Sequence, residues 1–204
     1  YLDSIQWHLD KLRGFNRVLD TGAGSGNLTL EMLKHGHKVT AIEPFGSPLK
    51  LLRKKCAVYR ADFKSYKMPV EKIELQDTFD GVSSMFVIPF VKDMSSYFSG
   101  VYNVLKKNGM FTISAWTPVS LDAKEALALL ESEERELKRK GILPQHKKEW
   151  NYIMQSSREL ALNMTSGLDA KKLQLLLKES GFRNVKRYLK APYGKYAMFL
   201  TAEK

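Results

Sequence analysis

The sequence predicts an α/β fold in which a mostly parallel sheet carries helices on both faces. Strand-like segments alternate with helical segments through the first 116 residues, which is the arrangement of parallel sheets with crossover helices. The first strand-like segment runs directly into a glycine-rich turn that precedes a helix. The last two strand-like segments, 184–190 and 195–202, flank a Pro-Tyr-Gly turn, and this pattern predicts an antiparallel hairpin.

The first strand and its turn are the most informative part of the chain. The strand ends at Asp20, the turn Gly22–Gly26 has the spacing G-x-G-x-G, and a helix is predicted over 27–35. A glycine turn between a strand and a helix is a device for binding nucleotides, because glycine accepts positive φ and lets a ligand approach the backbone. The acid beside the turn disfavours a pyrophosphate and suits S-adenosylmethionine (SAM), which carries an ammonium and a sulfonium. On the evidence of this turn alone, a dinucleotide such as NAD remains an alternative ligand.

The following strands add two more acids. A second strand over 38–43 ends at Glu43, about 20 residues after the turn, where a carboxylate can accept hydrogen bonds from both ribose hydroxyls. A third strand over 56–63 is predicted to bring Asp62 to an adenine amine, with Phe63 on the rim of the base. The other predicted elements are helices over 48–55 and 95–105, strands over 79–86 and 105–114, and a helix that begins after Asp169 and stops at Gly181.

Together these motifs resemble the class I SAM-dependent methyltransferases, and their small type 11 group in particular. The first motif is similar to Val18–Gly26, and the acids of the second and third strands match Glu43 and Asp62. The Phe-Asp-x-Val start of the fourth strand matches Phe79–Val82. The Leu-Lys-x-Gly-Gly turn matches Leu105–Gly109, with asparagine where the first glycine is usual. The resemblance covers about residues 16–116 in detail.

The resemblance implies the fold and the cofactor. We expect a single domain over 1–204, with a Rossmann-like, mostly parallel seven-stranded sheet that ends in an antiparallel hairpin. We also expect a helix before the first strand, part of which could precede Tyr1, since the sequence does not begin with methionine. The cofactor is SAM. The residues assigned to it are Asp20, Gly22, Ala23, Gly24, Gly26, Glu43, Pro44, Asp62, Phe63 and Met85.

An insertion at about 117–165 separates the fifth strand from the last helix. It contains two helix-like stretches, and in the family an insertion here commonly covers the substrate. We expect a lid, the alternative being a plain helical cover over a sheet edge. Ligand pockets are mostly apolar with a few polar groups. The residues expected to line the substrate are Phe86, Phe90, Trp116, Trp150 and Tyr152.

Methyl transfer from SAM needs positioning more than a strong base, and no catalytic residue is assigned. His146, in the insertion, is the one candidate base, whereas His35 and His37 flank a turn and are expected to be solvated. The fourth strand lacks the Asn/Asp-Pro-Pro-Tyr/Phe motif after it, which argues against methylation of adenine N6 or glutamine. No cluster has the spacing of metal ligands, so no metal is predicted.

Composition leaves two further functions open. The net charge is +11 with a pI near 9.6, so an RNA methyltransferase acting on rRNA or tRNA is one alternative to a small-molecule enzyme. The basic residues are scattered, however, which favours a lysine-rich solvated surface. A SAM-binding protein without catalysis is the other alternative.

The single cysteine, Cys56, is expected to be a buried thiol. It leaves no internal disulfide, and with no secretory signal or membrane span predicted, we expect a cytoplasmic protein. The oligomeric state is left open.

Overall fold

The computed structural model describes residues 2–116, 169–188 and 197–204, with isolated positions between 131 and 151. These residues build one seven-stranded sheet with the order β3-β2-β1-β4-β5-β7-β6. The pairs from β3 to β5 are parallel, and β7 runs antiparallel to both β5 and β6. The predicted α/β fold with a terminal antiparallel pair is confirmed. The strands are β1 Arg17–Thr21, β2 Lys38–Ile42, β3 Phe63–Tyr66, β4 Phe79–Met85, β5 Leu105–Trp116, β6 Arg183–Arg187 and β7 Ala197–Glu203.

The described helices begin at residues suited to start them. Asp93 accepts a hydrogen bond from the Ser96 amide, and Asp169 accepts one from the Lys172 amide, so both aspartates satisfy amides that the first helical turn leaves unpaired. The helix after the glycine turn begins at left-handed Gly26 instead. The helices are α1 Leu2–Leu12, α2 Asn27–Lys34, α3 Gly46–Lys55, α4 Met94–Val104 and α5 Ala170–Glu179.

Two apolar layers enclose the sheet. On one face, α1 and α2 bury apolar side chains such as Leu9 and Met32 against Val18 of β1. On the other face, α4 and α5 pack on the next residues of the same strands, with Phe98 fully buried against Phe111 of β5. Each strand residue therefore belongs to one layer according to its parity, as the period of two requires. This fixes which strand residues can face the glycine turn.

A row of polar residues crosses the first of these faces. Asp20 of β1 pairs in register with Ser83 of β4, Ser83 with Thr112 of β5, and Thr112 with Thr201 of β7. All four are buried. We refer to Asp20, Ser83, Thr112 and Thr201 as the polar row. Buried polar groups require hydrogen-bond partners, and the helices that cover this face supply some of them, as described below.

The third strand differs from its prediction. We expected it over 56–63, but Ala57–Tyr59 forms a short 3₁₀ helix and β3 runs from Phe63 to Tyr66. Phe63 pairs with Val39 near the start of β2, so Asp62 lies at the amino ends of the strands. The apolar run that suggested a strand is this 3₁₀ helix and the turn after it. Short apolar segments do not distinguish helix from strand by pattern alone.

The structure also differs from, or agrees with, several smaller predictions about element limits and burial. α3 begins two residues earlier than predicted, and β5 extends to Trp116. His37 was expected to be solvated, but it is buried and its Nδ1 lies 2.7 Å from the Phe15 carbonyl oxygen. Cys56 is buried, as expected, and burial raises the pKa of its thiol. The insertion at 117–165 lies almost wholly outside the described residues. Among the helices that the structure describes, none has the length and apolar character needed to cross a bilayer.

Candidate active site

The glycine turn lies at the carboxyl ends of β1 and β4, and its three glycines have different surroundings. Gly22, Gly24 and Gly26 all have positive φ, at +64°, +55° and +83°. A Cβ on Gly22 would lie 2.6 Å from Val87 Cγ2, whereas a Cβ on Gly24 would meet no atom within 4 Å. Gly22 is thus needed for internal packing. Gly24 faces open space, which is what a position reserved for a ligand requires.

Asp20 is a buried carboxylate at the base of this turn. Its side chain accepts hydrogen bonds from Ser83 Oγ at 2.9 Å and from Thr29 Oγ1 at 2.5 Å. Burial raises the pKa of Asp20 to about 6, with the nearby Glu43 carboxylate adding to the rise and the two hydroxyls opposing it. A buried carboxylate with no cation beside it is unfavourable. A positively charged ligand in this place would relieve that cost.

Glu43 follows β2 and ties the turn to the next helix. Its carboxylate accepts from the Gly24 amide at 2.9 Å and from the Phe45 amide at 3.0 Å, and the residue is buried. The predicted site residue therefore lies next to the glycine turn. Each carboxylate oxygen can accept more than one hydrogen bond, so both remain able to accept from ribose hydroxyls. Sequence reasoning missed that Glu43 also orders the turn itself.

A cavity of about 190 Å³ lies between the turn and the end of β4. Among the described residues around it, Asp20 carries the one ionisable side chain. Two carboxylates at one turn suit a cationic cofactor such as SAM and disfavour a pyrophosphate, so the residues present fit the predicted cofactor. The cavity is lined by Asp20, Gly22, Ala23, Gly24, Ser25, Leu28, Met85 and Phe86.

The end of β4 brings Phe86 to the wall of this cavity. Phe86 has φ +60°, a conformation that costs a bulky side chain about 1–2 kcal/mol. Its amide donates to the Ser114 carbonyl at 2.8 Å, and its ring stacks on Trp116 with centroids 4.4 Å apart and an interplanar angle of 16°. Two residues predicted to line the substrate are therefore in contact, although only Phe86 is among the described residues that line the cavity.

Tyr97 supports the turn from the opposite face of the sheet. Its buried hydroxyl lies 2.6 Å from Thr21 Oγ1, which in turn donates to the Ser83 carbonyl at 2.7 Å. Burial raises the pKa of Tyr97 well above its usual range, so the hydroxyl stays neutral. This contact holds the residue immediately before Gly22. No motif indicated it, because the two residues are 76 positions apart.

His8 is a second buried group that sequence reasoning did not place. Thr112 Oγ1 donates to the Val82 carbonyl at 3.2 Å and lies 2.9 Å from His8 Nδ1, so it accepts from an Nδ1 proton. Nε2 then accepts from Ser114 Oγ at 3.0 Å. The ring is neutral, and burial lowers the pKa of His8 to about 3. His8 thus ties α1 to β5 through the polar row.

Two predicted cofactor residues lie away from this site. Asp62 and Phe63 were assigned to the adenine, but they stand at the amino end of β3, whereas the glycine turn is at the carboxyl ends of the neighbouring strands. That assignment is wrong because it depended on a strand placed several residues too early. The carboxyl end of β3 carries Tyr66, followed by Lys67 and Met68, and the Met68 amide donates to the Glu43 carbonyl at 3.3 Å.

The remaining predicted residues are distributed as follows. Pro44 directly follows Glu43 and is half-buried, and Met85 lines the cavity. Phe90 ends a short 3₁₀ helix and is not among the described residues around the cavity. His146, Trp150 and Tyr152 lie outside the described residues. Within the described residues no group of histidine, cysteine and carboxylate side chains could hold a metal ion.

A second hollow, of about 300 Å³, lies at the amino ends of β4 and β5. Asp80 borders it, but this carboxylate already accepts from the amides of Asn16 and Arg17 and from Lys106 Nζ. This hollow is larger than the cavity at the glycine turn, but none of the residues predicted for the site line it. Its polar groups serve to join β4 to the start of β1.

Residues 19–113 match a family model described as a methyltransferase domain. The match covers just under half of the chain and agrees with the predicted resemblance to the type 11 methyltransferases. The match supports the predicted family resemblance and its cofactor, SAM. The match ends near the carboxyl end of β5, so it includes the glycine turn, Glu43 and the end of β4.

Known proteins agree with this assignment. A ubiquinone biosynthesis O-methyltransferase of Pasteurella multocida is 28% identical over 132 residues, which are 56% of this chain and 54% of that protein. The chain thus spans about half the length of the curated relatives it matches first. Two solved structures share the fold. A SAM-dependent methyltransferase of Thermotoga maritima has a TM-score of 0.67 at 19% identity, covering 100% of this chain and 88% of the other. A phosphoethanolamine N-methyltransferase of Haemonchus contortus, solved with SAM, has a TM-score of 0.71 at 14% identity, covering 99% and 52%.

Proposed function

We propose that the protein transfers a methyl group from SAM to a small-molecule acceptor. The observation that carries the proposal is the cavity between the glycine turn and Phe86, which has Asp20 at its base and an apolar wall at the end of β4. The cofactor, when bound, supplies an activated methyl group on a sulfonium. The chain supplies position: Glu43 offers acceptors for the ribose, and Gly24 leaves room beside the turn.

The protein's part in the reaction is to orient two reactants and keep water away. Transfer breaks the carbon–sulfur bond and forms a bond from the methyl carbon to the acceptor atom, and the acceptor's proton passes to solvent. Apart from Asp20, the described residues that line the cavity carry no titratable side chain. Asp20 already accepts hydrogen bonds from Thr29 and Ser83. We therefore assign it to charge balance rather than to proton removal, and His146 stays a candidate base.

An RNA acceptor is the second candidate, and the net charge of +11 favours it. Phosphate contacts by lysine and arginine dominate RNA affinity, so an RNA site would be expected to carry such side chains at its mouth. None of the described residues that line the cavity is basic. The described part of the site is therefore better suited to a small molecule.

The test is a methyl-transfer assay with labelled SAM on cell extract separated into RNA, protein and small-molecule fractions. We expect label in the small-molecule fraction. Label in RNA alone would overturn the small-molecule proposal, and tight SAM binding with transfer to no fraction would indicate a SAM-binding protein without catalysis. The Gly24→Val variant serves as the negative control in each fraction, since its side chain would occupy the open space beside the turn.

A further inference from the structure

We infer that Tyr97 is a positioning residue for the cofactor, which acts through Thr21 on the glycine turn. The inference rests on the proposed function and adds a residue to its binding site. Tyr97 lies in α4 and is fully buried, and its hydroxyl oxygen lies 2.6 Å from Thr21 Oγ1. Neither residue is among those described around the cavity. Tyr97 can therefore influence a ligand there only through the residues that it holds.

The hydrogen bonds around Thr21 have one consistent direction. A threonine hydroxyl has a single proton, and Thr21 Oγ1 donates it to the Ser83 carbonyl at 2.7 Å. The Tyr97 hydroxyl must then donate to Thr21 Oγ1. Burial raises the pKa of Tyr97 well above its usual range, so the phenol keeps the proton that this bond requires. A phenylalanine at position 97 would remove the donor and leave the buried threonine oxygen without it.

These hydrogen bonds join the two strands whose ends form the cavity. Thr21 lies in β1 between Asp20 and Gly22. Ser83 lies in β4, two residues before Met85. Its carbonyl accepts from Thr21, and its hydroxyl donates to the Asp20 carboxylate. Since Asp20, Gly22 and Met85 line the cavity, the bond from Tyr97 helps to fix the distance between its two walls from the opposite face of the sheet.

The position of Thr21 also determines where the turn lies. A Cβ on Gly22 would lie 2.6 Å from Val87 Cγ2, so the Gly22 backbone packs closely against the chain that follows β4. Closely packed groups transmit a displacement instead of absorbing it, so a shift of Thr21 would pass through Gly22 to Gly24. A site whose binding-ready form is only partly populated loses affinity in proportion to that population. Loss of the Tyr97 hydroxyl should therefore weaken cofactor binding, although every residue of the cavity stays in place.

The experiment measures cofactor binding separately from folding. S-adenosylhomocysteine is titrated by calorimetry into wild type, Tyr97→Phe and Tyr102→Phe, and the stability of each ligand-free protein is measured by urea unfolding. Phenylalanine at position 97 keeps the ring that packs edge-on to Phe111 and removes only the hydroxyl. We expect Tyr97→Phe to weaken binding about two- to tenfold, the factor to which one net hydrogen bond corresponds. Tyr102→Phe loses a hydroxyl from the same helix, at a residue that packs on Phe182, and should bind as wild type does.

Two further variants separate positioning from a general loss of stability. Val101→Ala removes buried apolar volume from α4, so it should unfold at a lower urea concentration than wild type, yet bind S-adenosylhomocysteine equally well. Thr21→Val removes the group through which Tyr97 acts and should weaken binding at least as much as Tyr97→Phe. Addition of Tyr97→Phe to Thr21→Val should then weaken binding no further, because the two residues act as one unit.

Wild-type affinity in Tyr97→Phe or in Thr21→Val would overturn the inference and leave the proposed function standing. An equal loss of affinity in Val101→Ala or Tyr102→Phe would also overturn it, since destabilisation of α4 would then be the cause. Additive losses from Tyr97→Phe and Thr21→Val would show that Tyr97 does not act through Thr21. Failure of the wild-type protein to bind SAM or S-adenosylhomocysteine would overturn the proposed function instead.

Discussion

Asp20 and His8 are predicted to have opposite effects on stability as the pH falls. Burial raises the pKa of Asp20 from 3.8 to about 6, so the folded state holds a proton there more tightly than the unfolded state does. Ionisation of Asp20 therefore destabilises the ligand-free protein, fully above pH 6 and not at all below pH 4. One pKa unit corresponds to 1.36 kcal/mol, so the cost at pH 7 is about 3 kcal/mol.

His8 acts in the other direction. Burial lowers its pKa from 6.5 to about 3, so the neutral ring contributes stability that is complete above pH 6.5 and is lost as the pH falls toward 3. The loss is about 5 kcal/mol by the same conversion. Between pH 4 and 6 each group changes the free energy of unfolding by about 1.4 kcal/mol per pH unit, with opposite sign. In wild type their effects nearly cancel in this window.

The Asp20→Asn variant separates the contribution of Asp20 to stability from that of His8. Asparagine keeps an acceptor and a donor for the hydroxyls of Thr29 and Ser83, which can themselves donate or accept. Relative to wild type, the variant should gain about 3 kcal/mol between pH 4 and pH 7. His8→Gln should show the reverse, its stability relative to wild type increasing as the pH falls from 6.5 to 4.

The measurement is urea unfolding followed by tryptophan fluorescence at constant ionic strength, at half-unit steps from pH 4 to 8 and without ligand. Differences between variant and wild type cancel the contribution of the other carboxylates, such as Asp77, whose pKa is lowered by its hydrogen bond with Arg17. A constant offset between Asp20→Asn and wild type across this range would refute the reasoning, since it would mean that Asp20 titrates alike in the folded and unfolded states.

Three further predictions follow from the site. Glu43→Ala should weaken SAM binding by about 1.5–3 kcal/mol, the worth of a hydrogen bond to a charged group; an unchanged affinity by calorimetry would mean that the carboxylate does not contact the ribose. Gly24→Val should abolish SAM binding, whereas Gly36→Val, at a position that also has positive φ and open space around a Cβ, should bind SAM normally; normal binding by Gly24→Val would refute the prediction, and equal loss of binding in both variants would show that backbone strain is the cause. Hydrogen exchange across residues 117–165 should slow when S-adenosylhomocysteine and acceptor bind, and full protection in the free protein would show a fixed cover instead of a lid.

Local patterns in the sequence were sufficient to predict most of the framework. The glycine turn and the acid at the end of β2 are short-range features, and the structure brings Asp20, Gly24 and Glu43 together as expected. The terminal pair of strands was also foreseen from its turn. These features are readable because each depends on neighbouring residues only.

What escaped prediction depends on distant contacts or on strand limits. Asp62 was misplaced because the 3₁₀ helix Ala57–Tyr59 and the turn after it resemble a strand in composition. The Tyr97 contact with Thr21 and the His8 contacts with β5 join residues 76 to 106 positions apart, and a single sequence carries no signal for such pairs. The positive φ of Phe86 was likewise invisible, since phenylalanine rarely adopts it.

The polar row has a consequence for how the strands find their partners during folding. Asp20, Ser83 and Thr112 lie side by side on three adjacent strands, and the residues next to them in each strand face the apolar layer under α4. A slip of β5 by one residue would reverse the faces of its side chains. Thr112 would then enter the layer that contains Phe98, while Phe111 would be placed against the His8 ring. The misaligned sheet would leave hydroxyl and imidazole groups buried without partners, each at a cost of about 1–3 kcal/mol. The hydroxyls therefore help to specify the strand register, because they destabilise shifted alignments more than they stabilise the native one.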